Sequence, residues 1–166
     1  YPLIVKPVDA YSSKGVKKVT NEDELKVAFE EAKNISRTKN AIVEEFFVGE
    51  EISDIGELRT VIREIVTTIA AQDPNWTIRV HAGENDSLKS NMAKAISLVE
   101  DALLPGQAFP NMRIGHGLYC AKLSSRQGKA LLAGIKAHQI VLEFQLTSNV
   151  RLNNIIDLHR HPLKSY

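Results

Sequence analysis

Short apolar runs alternate with longer stretches of helical periodicity along the whole chain, and turn residues separate them. Residues 3–6 predict a buried strand, 9–15 a polar loop, and 16–19 a short second strand. Asn21 then stands at an N-cap position with Glu24 three residues on, and Leu25, Ala28, Phe29 and Ala32 share one face of a helix reaching to about Asn34. Residues 41–48 predict a strand that Gly49 halts. Beyond it the rhythm changes. A helix over 55–71 carries the stripe Leu58, Ile62, Ile65, Val66 and Ile69, and Asp73-Pro74-Asn75 turns into a strand over 76–81. A helix over 88–103 stops before Pro105-Gly106, and a strand over 112–114 follows. A helix over 124–137, a strand over 140–145 and a short helix over 152–158 complete the pattern.

This order predicts an α/β fold in two parts. Before residue 54 it runs strand, strand, helix, strand, an α+β arrangement; after it, strand and helix recur three times, the mark of successive parallel βα units. The charges divide at the same place: residues 1–53 carry 8 basic and 10 acidic side chains, residues 54–166 carry 13 and 10. A boundary is therefore expected near Ser53-Asp54, separating a segment 1–53 from a segment 54–166.

Composition removes several function classes. The 166 residues are 43% hydrophobic and 25% charged, an ordinary globular balance, with a net charge of +1. That charge gives no whole-chain field for nucleic acid or an anionic membrane, and Lys14-Gly15-Val16-Lys17-Lys18 lacks the interleaved aromatics of a nucleic-acid platform. A single cysteine, Cys120, excludes an internal disulfide and a four-thiolate zinc site, and reads as a small buried hydrophobe. No apolar run approaches the roughly 20 residues of a membrane span, and no leader pattern precedes the first strand. A reducing, cytoplasmic location is the expectation. The start on a strand, without methionine, reads as the interior of a longer gene product.

Chemistry gathers in both parts. Lys6 ends an apolar strand, where a lysine either snorkels to water or meets an anion. The loop Tyr11-Ser12-Ser13-Lys14-Gly15 is either a plain turn or a cover whose amides and hydroxyls face phosphate, and it lacks Walker A spacing. Glu44 and Glu51 stand seven residues apart around Phe46-Phe47-Val48-Gly49. In this order the three features resemble the lid subdomain of the ATP-grasp family. The resemblance implies ATP with magnesium as cofactors: Lys6 on the phosphates, Ser12, Ser13 and Gly15 in the covering loop, Glu44 on the adenine amino group, the Phe47 backbone on the ring edge, and Glu51 on the ribose. That family's acidic magnesium ligands and phosphate-clamping arginine find no matching stretch in this sequence.

In the second part, His81-Ala82-Gly83-Glu84 and Arg113-Ile114-Gly115-His116-Gly117 each follow a predicted strand, where parallel barrels place their chemistry. A third strand end leads into Gln145-Leu146-Thr147-Ser148-Asn149, with His161-Pro162-Leu163 after it. Together these resemble the adenosine deaminase family of metal-dependent aminohydrolases, a (β/α)8 barrel, over roughly 58–166. The resemblance implies zinc on His81, proton transfer to a purine by Glu84, and a water oriented or deprotonated by His116. The family's first-strand His-x-His pair and its late aspartates are missing, because His159-Arg160-His161 lies after the third motif. His138 reads as a cation at a helix end.

The expected function is a purine deaminase-like zinc hydrolase module joined to an adenine-nucleotide-binding piece, both sites incomplete. Whether the chain is an enzyme stays open. An ATP-dependent ligase fragment, or a chimera with only a binding or structural role, is the alternative. The expected partners are purine nucleosides or nucleotides and further segments of a larger protein, with neither membrane nor nucleic acid.

Overall fold

The computed structural model of this chain describes residues 3–9, 14–45, 55–70, 73, 75–144, 159 and 161–166. Six strands form one sheet: β1 (Leu3–Pro7), β2 (Lys17–Val19), β3 (Ala41–Glu45), β4 (Thr77–Ala82), β5 (Asn111–His116) and β6 (Val141–Glu143), in the spatial order β2-β1-β3-β4-β5-β6. β1 runs antiparallel to both β2 and β3, whereas β3, β4, β5 and β6 are mutually parallel. Each parallel step is bridged by one helix: α2 (Arg59–Ala70), α3 (Asn91–Ala102) and α4 (Arg126–Ala137), while α1 (Glu22–Ile35) links β2 to β3. Strands taken in sequence order and joined by crossovers of one hand place their helices on one side of the sheet. The protein is α/β.

Local chemistry explains the elements. The Asn21 side chain accepts from the Glu24 amide at 2.9 Å, and the Glu24 carboxylate reaches back to the Thr20 amide at 2.7 Å. This reciprocal cap starts α1 one turn before its buried face of Leu25, Ala28, Phe29 and Ala32. Leu3 and Val5 on β1, Val43 on β3, Ile78 and Val80 on β4, and Met112 and Ile114 on β5 point to the helix layer and join one apolar cluster with it. Phe29 and Trp76 are wholly enclosed there. Burial of each such side chain contributes about 1.5–3 kcal/mol.

Several boundaries differ from the expected ones. The helix expected from residue 55 opens as a 3-10 turn over Ile55–Leu58. The helix expected from residue 88 is split: Asn85 caps a 3-10 turn over Asp86–Leu88, and α3 starts only at Asn91. Trp76 stands just before β4, its carbonyl accepting from the Asn111 amide at 3.2 Å while its indole fills the core. β5 is twice as long as the expected 112–114, because Gly115 and His116 still pair with β4. β6 keeps only three residues. The short helix expected over 152–158 lies outside the described residues.

Candidate functional site

Alternation along the strands puts a second set of side chains on the sheet face away from the helices, and that set is charged. Lys6 of β1 lies diagonal to Glu44 of β3, since Lys6 registers with Ile42 and Ile4 with Glu44. Lys6 Nζ and Glu44 Oε1 are 2.7 Å apart. Glu44 registers directly with Arg79 of β4, whose Nη1 donates to Glu44 Oε2 at 3.0 Å. Arg79 and Arg113 are neighbours across β4 and β5, and Glu143 of β6 separates the two like charges: its oxygens lie 2.5 Å from Arg79 Nε and 2.6 Å from Arg113 Nε. In order of ion pairing the row reads Lys6, Glu44, Arg79, Glu143, Arg113, with signs alternating.

Partial burial makes each link matter. Burial alone would raise the Glu44 carboxyl, but Lys6 and then Arg79 outweigh it and hold it below the ordinary carboxylate range. Burial works against the Arg79 charge as well, and Glu143 with Glu44 more than restores it.

At the C-terminal end of β4 and β5 the row meets a second group. His81 Nε2 lies 2.7 Å from Arg79 Nη1, and His81 Nδ1 lies 3.2 Å from His116 Nε2. His116 Nδ1 is 3.5 Å from Glu84 Oε1, and both of these side chains are buried. The His81 imidazole is pushed down to about 4, by burial first and then by Arg79 and His116, so it is neutral at pH 7. His116 registers with Ala82, whose side chain belongs to the helix face, and regular pleating would send His116 there too. Its backbone instead adopts φ 76°, a left-handed conformation rare outside glycine, and its ring meets His81.

The loops behind these residues are stitched together by backbone. The Gly83 carbonyl accepts from the amides of Leu118 and Tyr119 at 2.9 and 2.7 Å, and the Ala82 carbonyl accepts from Gly117 at 3.1 Å. Gly83 has φ +83°, and a Cβ there would lie 2.8 Å from the Tyr119 carbonyl oxygen, so only glycine admits this approach. The Tyr166 hydroxyl donates to the Gly117 carbonyl at 3.0 Å.

The structure thus brings Lys6 and Glu44 together, and separately His81, Glu84 and His116. Gly15 lies against Pro7 and Ile35 with φ +76°, a left-handed conformation that favours glycine. Ser12, Ser13, Phe47 and Glu51 lie outside the described residues. The zinc expected on His81 does not fit. Both His81 nitrogens are already engaged, one by a guanidinium that would also repel a cation, and no group of three His, Cys, Asp or Glu among the described residues is placed to hold a metal. Sequence reasoning gave no role to Arg79, Arg113 or Glu143. The available signal was Arg79 and His81, two titratable side chains two apart in the strand Thr77–Ala82.

Comparison with known proteins finds two kinds of relative. Residues 1–73 match the family described as D-ala D-ala ligase C-terminus, an ATP-grasp family, and the match runs through α2. Adenosine deaminase from Klebsiella pneumoniae (strain 342) is 33% identical over 96 residues, which are 58% of this chain and 24% of that protein. Adenosine deaminase from Escherichia coli O1:K1 / APEC is 32% identical over the same shares. The chain therefore spans about a quarter of the length of the curated relatives it matches. No solved structure matches it. No helix among the described residues is long and apolar enough to cross a membrane.

Proposed function

We propose that the N-terminal part of this chain binds an adenine nucleotide in the manner of an ATP-grasp ligase fragment. The observation that carries this reading is the Lys6–Glu44 pair at 2.7 Å on adjacent strands β1 and β3, within the stretch that matches the ligase family. A lysine supplies a compact cation for phosphate oxygens. A carboxylate offers about four lone-pair positions, so Glu44 can accept from an adenine amino group while retaining Lys6 and Arg79. Magnesium enters as the counter-ion of the phosphates, and Glu51 meets the ribose hydroxyls.

Isothermal titration of the full chain with magnesium-ATP tests the reading. Weak binding at millimolar nucleotide is expected. Lys6→Met should weaken it roughly 10–100-fold, the worth of a hydrogen bond to a charged group. Glu51→Ala should weaken ATP more than free adenine. A folded protein with no heat at millimolar ATP overturns the reading.

A second reading concerns the deaminase-like part, and the strained His116 between His81 and Glu84 favours it. Glu84, buried beside the His116 ring, is the group that meets the purine, since a carboxylate accepts from an exocyclic amino group. With no seat for zinc on His81, this part binds a purine nucleoside without turning it over. Adenosine should bind the wild-type chain, Glu84→Gln should weaken it by about tenfold, and no inosine should form in zinc-supplemented buffer. Absence of adenosine binding, or steady inosine production, would remove this reading.

A further inference from the structure

His81 stands between a group that can only donate and a ring that can do either. The Arg79 guanidinium carries donors alone and does not give up its proton, so His81 Nε2, 2.7 Å from Arg79 Nη1, is an acceptor. A neutral imidazole whose Nε2 accepts carries its proton on Nδ1. That proton faces His116 Nε2 at 3.2 Å, which accepts in turn, so His116 carries its own proton on Nδ1. There it faces Glu84 Oε1 at 3.5 Å.

We infer that Arg79 is a positioning residue for the Glu84–His116 pair: by holding His81 in its Nδ1–H form, it sets the direction of the hydrogen bond from His81 to His116 and so turns the His116 Nδ1 proton toward Glu84. The guanidinium can do this because it is itself clamped. Glu143 takes its Nε and Glu44 shares its Nη1, so three strands fix where it points. His81 registers with Gly115, and that missing side chain leaves room for the two imidazoles to meet. A metal-ligand histidine would need a free lone pair directed at the ion, whereas here Arg79 occupies one nitrogen and the proton occupies the other. The same clamp that orders the array therefore closes His81 to a cation.

The inference deepens the second reading above, since it says what orients the pair on which that reading depends. Its test needs no ligand. Two-bond proton–nitrogen spectra of the full chain, labelled with nitrogen-15 and recorded near neutral pH, report which nitrogen of each histidine is protonated; His81→Gln and His116→Gln variants assign the signals. The expected wild-type pattern is protonated Nδ1 and unprotonated Nε2 on both rings. Arg79→Lys retains a donor and should retain the pattern. Arg79→Met removes it, and the Nε2–H form of His81 should rise from undetectable to the major species, with His116 following. A wild-type His81 protonated on Nε2 overturns the inference, and so does a folded Arg79→Met chain with an unchanged pattern. Should Arg79→Met fail to fold, the wild-type and Arg79→Lys spectra decide, because an Nε2–H form in either overturns it. If adenosine fails to bind while the expected pattern is present, the second reading falls and this inference stands.

Discussion

The left-handed backbone at His116 costs any residue with a Cβ about 1–3 kcal/mol, and the contacts of its ring must offset that cost. Alanine at this position would lose the ring contacts and keep the strain; glycine would lose the same contacts and shed the strain. His116→Gly should therefore be more stable than His116→Ala by about 1 kcal/mol, read from urea midpoints at constant m-value. Equal midpoints would mean that the backbone at this site holds no strain. His81, Glu84 and His116 all stood out in the sequence as polar residues at glycine-containing strand ends. What could not be read there was the turn of the His116 ring toward His81, because strand alternation places it on the opposite face. Arg79 was hidden for a different reason. Its importance comes from Glu143, 64 residues away, and from Glu44 across the parallel pairing, and neither separation leaves a local pattern.

At the scale of the strand, β4 carries its titratable group on the charged face, and acid should loosen it there. The folded His81 value of about 4 lies below the ordinary 6.5, so between those values the unfolded chain binds a proton that the folded chain refuses. Stability then falls as pH drops from about 6.5 to about 4, and this contribution changes no further below that. The loss is on the order of 2 kcal/mol, reduced from the full shift because the ring is partly exposed. Wild-type and His81→Gln chains compared by denaturant melts across this range should converge toward the acid end by that amount. Parallel curves would contradict it. Glu44 acts in a separate and lower window: its folded value is depressed, so its contribution persists above the ordinary carboxylate range and is lost only as pH falls through that depressed value. Element types were the most legible level, because periodicity and caps are local. The 3-10 openings before α2 and α3 were not, since Leu58 and Leu88 fall in helical register with the apolar stripes that follow them.

For the whole molecule, β3 and β4 join the two differently patterned stretches into one sheet over one apolar cluster. We propose that the sequence boundary near residue 53 survives as a difference of ligand chemistry between the two ends of that sheet. Consecutive winding has another result, visible at the rims. Among the described residues β2 and β6 are the outermost strands. β2 carries two exposed lysines, Lys17, paired with Glu31 of α1, and Lys18, and lysines on an edge disfavour pairing with another chain's strand. β6 has no such guard among the described residues: Val141 is 50% exposed and its strand offers only three residues. Self-association in concentrated solution should thus begin at one rim and not the other. Val141→Lys should raise the concentration at which light scattering first appears, while the melting temperature stays within a degree or two, as expected for an exposed position; it would give the β6 rim the kind of charge that the rim of β2 already carries.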